Sequence, residues 1–460
     1  MSRPHAVRSI PLALGLALAS CLALAACAPL APGAGPIDAS TPEAVGLSSE
    51  RLARLDRVLE GFVDDGRLPG FQLLVARDGR VVHERVYGAM DLEADRPLEA
   101  DTIYRIYSMS KVITGAATMI AWEQGRFLLT DPISKYLPEL GELSVMVWNE
   151  DGTTSTVPAE REITVLDLLR HTSGFSYHFL APPPLGARYV EETITPGMRP
   201  TPGTTALGAP GTDQAATLAD MVMRLGTLPL VQQPGSAWHY GINMDVLGRL
   251  IEVTDGRPFP VFLEEEIFTR IGMPDAGFHV AAEDVDRFAA LYGATQDGGL
   301  ALVDPPRTSA YLEPPAMPGG GGGLVATASD YMRFALMLLR GGELDGERLL
   351  SPRTVELMTA NHLSPVDFGA RPLAFGGSDD FANGGLGLGF GLTGSVVVEP
   401  ALTGLPVSKG TFGWGGAAST YFWIDPAEDI AVVFMTQLVP SNAYRLRAHL
   451  LGGVNAAIVD

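Results

Sequence analysis

Ser108 and Lys111 are the residues of this chain whose types and spacing most directly suggest chemistry. They stand in Tyr107-Ser108-Met109-Ser110-Lys111-Val112-Ile113-Thr114-Gly115. Three positions apart on a helix, their side chains share one face and their heads can touch. A serine hydroxyl is a poor nucleophile until a neighbouring base takes its proton. A lysine can be that base only when neutral. Free lysine titrates near ~10.4, and lowering this by ~3 units means disfavouring the ammonium by about 4 kcal/mol, through burial or a cationic neighbour. Val112, Ala116, Met119 and Ile120 recur at i, i+4, i+7 and i+8, the stripe of a buried helix. Backbone N–H groups at its start can face an oxyanion. Alone, Ser-x-x-Lys describes a helix cap with a solvated lysine equally well. The rest of the chain must decide.

The elements around this helix follow from patterning. Leu52, Leu55, Val58, Leu59 and Phe62 recur at helical spacing between Ser48 and Asp65. Two β-rich runs, Gly70 to Arg77 and Arg80 to Tyr87, are separated by Asp78-Gly79, a strong hairpin signal. Thr164 to Arg170 reads as a helix ending at His171-Thr172-Ser173-Gly174. Further helices are expected around Ala215 to Leu225 and Met244 to Glu252. A Pro/Gly/Thr-rich stretch, 181–212, lacks periodicity, as loops that wall or cover sites often do. Few strand signals occur between 130 and 310. Strands return at Ser419 to Ile424 and Ile430 to Gln437, and a final helix covers about Asn442 to Leu451. The expectation is an α+β fold, an antiparallel β-sheet flanked by helices. Residues 45–130 and 315–460 form its α/β domain, and 131–314 a mainly helical insertion domain.

Composition narrows the function. Of 460 residues, 53 are acidic and 32 basic, a net charge of -21 that repels phosphate backbones and argues against nucleic acid as a partner. The eight histidines form no His-x-x-x-His pair, so no zinc site is expected. Gly319 to Gly323 is five glycines in a row, but no Gly-Lys-Ser/Thr follows, which excludes a P-loop. A close backbone approach, leading into a helix capped by Ser329, is the expected use. Gly385 to Gly391 alternates glycine with Leu and Phe outside any Rossmann context. No cofactor or metal is called for. Gly-x-Ser-x-Gly is missing, which argues against an α/β-hydrolase.

Arg3 and Arg8 precede an apolar run from Ile10 to Leu24, which ends in Leu24-Ala25-Ala26-Cys27. That is the layout of an export signal spanning 1–26. Its last four residues resemble a bacterial lipobox, which implies lipid attachment at Cys27. An ordinary cleaved signal is the alternative. Residues 27–44 form a linker, rich in Pro, Gly and Ala over 28–39 and suited to tethering. The expected location is the cell envelope, on the periplasmic side, with a membrane partnership through the lipid. Cys21 leaves with the signal, so no thiol or disulfide chemistry is expected.

Three further stretches change the reading of Ser108. They are His171-Thr172-Ser173-Gly174-Phe175, Trp238-His239-Tyr240-Gly241-Ile242-Asn243-Met244-Asp245-Val246-Leu247-Gly248, and Gly410-Thr411-Phe412-Gly413-Trp414-Gly415-Gly416-Ala417-Ala418-Ser419-Thr420-Tyr421. In this order, with Ser108-x-x-Lys111, the chain resembles the serine β-lactamase and penicillin-binding-protein superfamily from about residue 45 to its end. The nearest branch is class C-like and includes the family VIII carboxylesterases.

The resemblance implies an acyl-enzyme on Ser108, with Lys111 and Tyr240 dividing the general-base work. It implies an oxyanion hole from the N–H groups of Ser108 and Ala417. Trp414-Gly415-Gly416 stands on the strand where β-lactamases carry Lys-Thr-Gly, and with Asn243 would bind substrate. Two departures matter. Ile242 occupies the third position of Tyr-x-Asn, with asparagine displaced to Asn243. Trp414 replaces the lysine that helps hold a substrate carboxylate, and Lys409 is out of register. An aromatic ring in place of a cation favours neutral esters over anionic β-lactams. The expected partner is therefore a small-molecule ester or amide. A D-alanyl-D-alanine carboxypeptidase or β-lactamase on the same residues is the second reading, and an envelope lipoprotein that binds acyl or peptide ligands without turnover the third. Ser110, His171 and His239 are expected to pack or hydrogen-bond rather than react.

Overall fold

The structure, a computed structural model, describes Met1 and residues 37–194, 215–363, 386–441 and 443–460. Cys21, Cys27 and the signal lie outside the described residues, as do Gly385, Asn442 and most of the 181–212 stretch. Among the described residues, no helix is long and apolar enough to cross a membrane.

Eight strands make the main sheet. They are β1 (Gly70–Arg77), β2 (Arg80–Asp91), β3 (Arg96–Pro97), β4 (Leu388–Phe390), β5 (Ser395–Val397), β6 (Phe412–Gly415), β7 (Tyr421–Asp425) and β8 (Ile430–Met435). The order is β4-β5-β6-β7-β8-β1-β2-β3, antiparallel throughout. The β1–β2 hairpin turns on Asp78 (φ 52°) and Gly79 (φ 71°), the pair of positive φ angles that an Asp-Gly turn supplies. β1 pairs with β8 from Gln72 opposite Met435 to Arg77 opposite Ile430, which joins the two ends of the chain.

β1 is buried along its whole length because both faces of the sheet are covered. Phe71, Leu73 and Val75 pack with Trp423, Val432 and Phe434 against helices α1 (Ser49–Asp64) and α7 (Leu446–Ala456). Leu74 and Ala76 point the other way, with Phe422, Val433 and Met435, toward α2 (Ser110–Glu123) and α6 (Ala328–Leu339). A period of two in the strand thus feeds two separate cores. The α+β expectation holds.

Between α2 and α6 lie the short helix α3 (Val165–Leu169), α4 (Leu218–Leu225) and α5 (Asn243–Asp255). Their apolar faces continue the α2 core without a break, through Val165, Leu169, Met221, Val246 and Leu250. This region carries more strand than expected. Ser144–Trp148 pairs with Thr154–Pro158, and Leu291–Ala294 with Leu300–Asp304. Helix α6 also corrects an expectation: its N-cap is Thr327, not Ser329. Asp330 N–H donates to Thr327 Oγ1 at 3.1 Å, and Thr327 N–H returns a bond to the Asp330 carboxylate at 3.2 Å. That reciprocal box satisfies two free donors, which Ser329, inside the first turn, has no means to do. The final helix starts at Leu446, later than expected.

Candidate active site

Ser108 is presented by a strained turn. The short strand Ile103–Arg105 ends at Ile106, and Tyr107 takes φ 41°, which few non-glycine residues adopt. A turn of 3-10 helix over Tyr107–Met109 then runs into α2. Tyr107 is buried and Ser108 is only partly so. The strain therefore falls on the residue immediately before the serine.

Lys111 lies one turn on, 1% exposed. Its Nζ donates to Ser108 Oγ at 3.1 Å and to the carbonyl of Gly321 at 2.5 Å. Thr114 Oγ1 donates to the neighbouring Gly320 carbonyl at 2.8 Å. The glycine run is thus the backbone cradle of α2. A Cβ on Gly320 would stand 2.7 Å from the Met244 carbonyl, and one on Gly321 2.7 Å from an Asp245 carboxylate oxygen. Only glycine lets the run pass between α2 and α5.

Tyr240 precedes α5, and its Oη lies 2.9 Å from Ser108 Oγ. Lys111 Nζ is 4.6 Å from the centre of the Tyr240 ring. The ring is fixed on several sides: His171 at 4.8 Å, Tyr177 at 5.5 Å, Trp414 at 5.8 Å and Trp238 stacked at 5.9 Å, centre to centre. Ser108, Lys111 and Tyr240 are thus brought into one constellation, with a hydroxyl, an amine and a phenol within reach of one another.

The far wall is β6. A Cβ on Gly416 would stand 2.3 Å from the Ile106 carbonyl, so the β6–β7 turn rests directly on the chain that enters Ser108. This contact sets the turn that carries Ala417 against Tyr107, the residue before Ser108. Ser419 closes the turn at φ 65°. Among the described residues, neither the Ser108 nor the Ala417 N–H donates within the fold, which suits a pair of oxyanion donors. Trp414 is half-buried, with Phe390 edge-on at 5.4 Å. Lys409 is exposed in the turn before β6.

Asn243 corrects an expectation. It is fully buried, its Oδ1 accepting from Ser173 Oγ at 2.5 Å and its Nδ2 lying 2.6 Å from His171 Nδ1. With both ends of its amide engaged, Asn243 is not available to substrate. Burial, and then the charge of Lys111, push His171 far toward its neutral form, so Nδ1 can accept from Asn243. His171 and Asn243 act as a brace behind the Tyr240 ring. His239 bonds Ser176 Oγ at 2.8 Å, and Ser110 Oγ accepts the Leu324 N–H at 3.2 Å.

Two residues near the centre escaped sequence reasoning. Tyr177 and Asp245 are both buried beside Gly321. The one signal for Asp245 was a lone carboxylate inside the apolar run Met244 to Leu247. Among the described residues, no cluster of side chains could hold a metal ion.

The Beta-lactamase family model matches residues 55–454 of this chain. The chain belongs to the Beta-lactamase family. Within this Beta-lactamase family, it is 34% identical to Protein Rv1367c of Mycobacterium tuberculosis, an alignment covering 86% of this chain and 92% of the relative. It is 31% identical to Esterase EstB of Burkholderia gladioli over 86% of this chain and 93% of the relative, which bears out the family VIII-like placement. Among solved structures it is similar to EstCE1, described as a hydrolase with promiscuous acyltransferase activity. That match has a TM-score of 0.70 at 26% identity, over 89% of this chain and 99% of EstCE1. A serine enzyme of the hydrolase and acyltransferase type, on a β-lactamase fold, is the activity class of this Beta-lactamase family member.

Proposed function

We propose that the protein is an exported serine esterase that cleaves neutral carboxylic esters through a Ser108 acyl-enzyme. The observation that carries this reading is the convergence of Lys111 Nζ and Tyr240 Oη on Ser108 Oγ, at 3.1 and 2.9 Å, beneath Trp414. In the reactive form, Tyr240 as phenolate takes the Ser108 proton while Oγ bonds to the acyl carbon. The carbonyl electron pair moves onto oxygen, held by the Ser108 and Ala417 N–H groups. Collapse expels the alcohol, which leaves with the proton from Tyr240. Water repeats the sequence on the acyl-enzyme and releases the acid. Trp414 supports an uncharged substrate, because an aromatic ring stands where β-lactamases carry the lysine that helps hold a substrate carboxylate.

Export and lipid attachment at Cys27 belong to the same proposal and rest on the sequence of residues 1–27. The test is hydrolysis of short p-nitrophenyl esters beside a chromogenic cephalosporin, with purified full-length chain and Ser108→Ala. Ester turnover lost in the variant, with little cephalosporin cleavage, is the expected result. Dominant cephalosporin cleavage would favour the β-lactamase or carboxypeptidase reading. No turnover and no covalent adduct on Ser108 would overturn the esterase and leave a ligand-binding lipoprotein.

A further inference from the structure

Asp245 is a buried carboxyl that the acyl-enzyme chemistry does not use. It lies in the first turn of α5, with no exposed surface. Its Oδ1 accepts only a long bond, 3.5 Å, from the Gly321 N–H, and its Oδ2 has no hydrogen-bond partner. A buried polar atom left unpaired costs stability, so its retention calls for a reason. Gly321 supplies the connection. Its carbonyl holds Lys111 Nζ at 2.5 Å while its amide faces Asp245, and a Cβ on it would stand 2.7 Å from Asp245 Oδ2 and 2.9 Å from Tyr177 Oη. One glycine therefore separates the carboxyl from the Ser108 partner lysine.

Among the described residues, few charged or titratable groups act on Asp245. Lys111 acts on it from α2 and Tyr177 from the segment after α3; the Tyr240 ring packs on Tyr177, and His171 packs on Tyr240. The glycine run contributes backbone alone. Lys111 is thus the cation in this set, and its field acts on Asp245 through a medium with little water to screen it.

We propose that Asp245 is a positioning residue for the reaction: as carboxylate it keeps Lys111 in the ammonium form, which makes Tyr240 the base toward Ser108. Lys111 then serves as a fixed cation that donates to Ser108 Oγ and stabilises the Tyr240 phenolate. Once Asp245 is protonated, the negative charge behind Lys111 is lost and the pair no longer favours this division of roles. Burial raises the Asp245 carboxyl, partly offset by Lys111, to about 6. The switch therefore falls inside the working range of an esterase.

The inference rests on the Ser108 acyl-enzyme reading, so its test reads Ser108 directly. The rate of covalent labelling of Ser108 by a fluorophosphonate probe would be followed from about pH 5 to about pH 9 in wild type and Asp245→Asn. Expected is a wild-type rate that falls roughly tenfold on an acid limb near pH 6. Asp245→Asn should shift that limb by about one pH unit or more, label at least about tenfold more slowly at pH 8, and melt no lower than wild type at that pH. A residue of merely structural value would lower the melting temperature and leave the limb in place. An unchanged acid limb in Asp245→Asn overturns the proposal. Should that variant fail to fold, the infrared band of a protonated buried carboxyl decides, read in an Asp330→Asn background because Asp330 holds a proton over the same range. Its loss between about pH 5 and pH 8, in step with labelling, supports the role, and its absence at pH 5 overturns it. Loss of ester turnover with intact labelling would count against the esterase reading alone, since the labelling profile still decides on Asp245.

Discussion

Tyr240 Oη lies 2.9 Å from Ser108 Oγ, although the two residues are 132 positions apart in the chain. Lys111 is placed by one turn of helix, but Tyr240 is placed by packing. Its ring is held by His171, which is itself held by Asn243. Tyr240 is therefore only as well positioned as the brace behind it.

Removal of the reacting groups follows from this geometry. Ser108→Ala should lower kcat/KM for p-nitrophenyl esters by about 10⁴-fold or more and abolish covalent labelling. Tyr240→Phe removes the proposed proton acceptor while keeping the ring packing, and should lower kcat by about 10²- to 10⁴-fold. Steady-state kinetics with melting temperatures checks both, since each variant should fold as wild type does.

Trp414→Lys places a cation where this chain has an aromatic ring. It should raise kcat/KM for esters bearing a free carboxylate by about tenfold, the worth of one charge-assisted hydrogen bond. Neutral esters should lose activity. The ratio of the two kcat/KM values is the measurement, and an unchanged ratio would remove Trp414 from the account of specificity.

Gly416→Ala tests the oxyanion hole without touching a side chain in the reaction. The added methyl would meet the Ile106 carbonyl at 2.3 Å, so the β6–β7 turn must shift and carry the Ala417 N–H with it. kcat should fall by about 10²-fold, the usual cost of one lost donor. Slow labelling of Ser108 by a fluorophosphonate probe should persist.

Stability should depend on pH through buried carboxyls of opposite sign. Burial raises Asp330 from 3.8 to about 7, outweighing the Thr327 N–H that favours its charge. The folded protein thus holds this proton more tightly than the unfolded chain. The contribution is fully present below about pH 4 and is lost as pH rises toward 7, at about 1.4 kcal/mol for each pH unit. Asp167 behaves oppositely. Burial opposes its charge, but Arg161, Thr164 and Thr172 outweigh burial and hold it well below the usual carboxylate range. Its contribution is present above about pH 4 and lost as pH falls. Asp330→Asn should therefore flatten the decline between about pH 5 and pH 8 in chemical denaturation.

Asp167→Asn should cost about 2 to 3 kcal/mol at neutral pH. It leaves Arg161 and Arg170, now 2.6 and 2.9 Å from the carboxylate, without a counter-charge, and both guanidinium groups are partly hydrated. Equilibrium urea unfolding checks this value. A cost below about 0.5 kcal/mol would show that solvent already screens the cluster.

Local chemistry in the sequence determined several parts of this protein. Asp78-Gly79 sets the hairpin because its residues tolerate positive φ. The apolar stripe of α2 and the three-residue spacing of Ser108 and Lys111 are helix geometry, readable from periodicity. Tyr240, Trp414 and Ala417 were legible only through the motif order, because no local rule links them to Ser108. The tertiary structure decided the rest. Asn243 stands in the right motif, yet the entry into α5 turns its amide onto Ser173 and His171. The five glycines gave no sign of their role until α2 and α5 were seen to approach closely enough to exclude a Cβ. Asp245 read as one acidic residue among 53. Only burial beside Gly321 and Lys111 makes it a candidate regulator of charge, because the energy of an ionised group depends on the dielectric and the charges around it, and distant segments supply both.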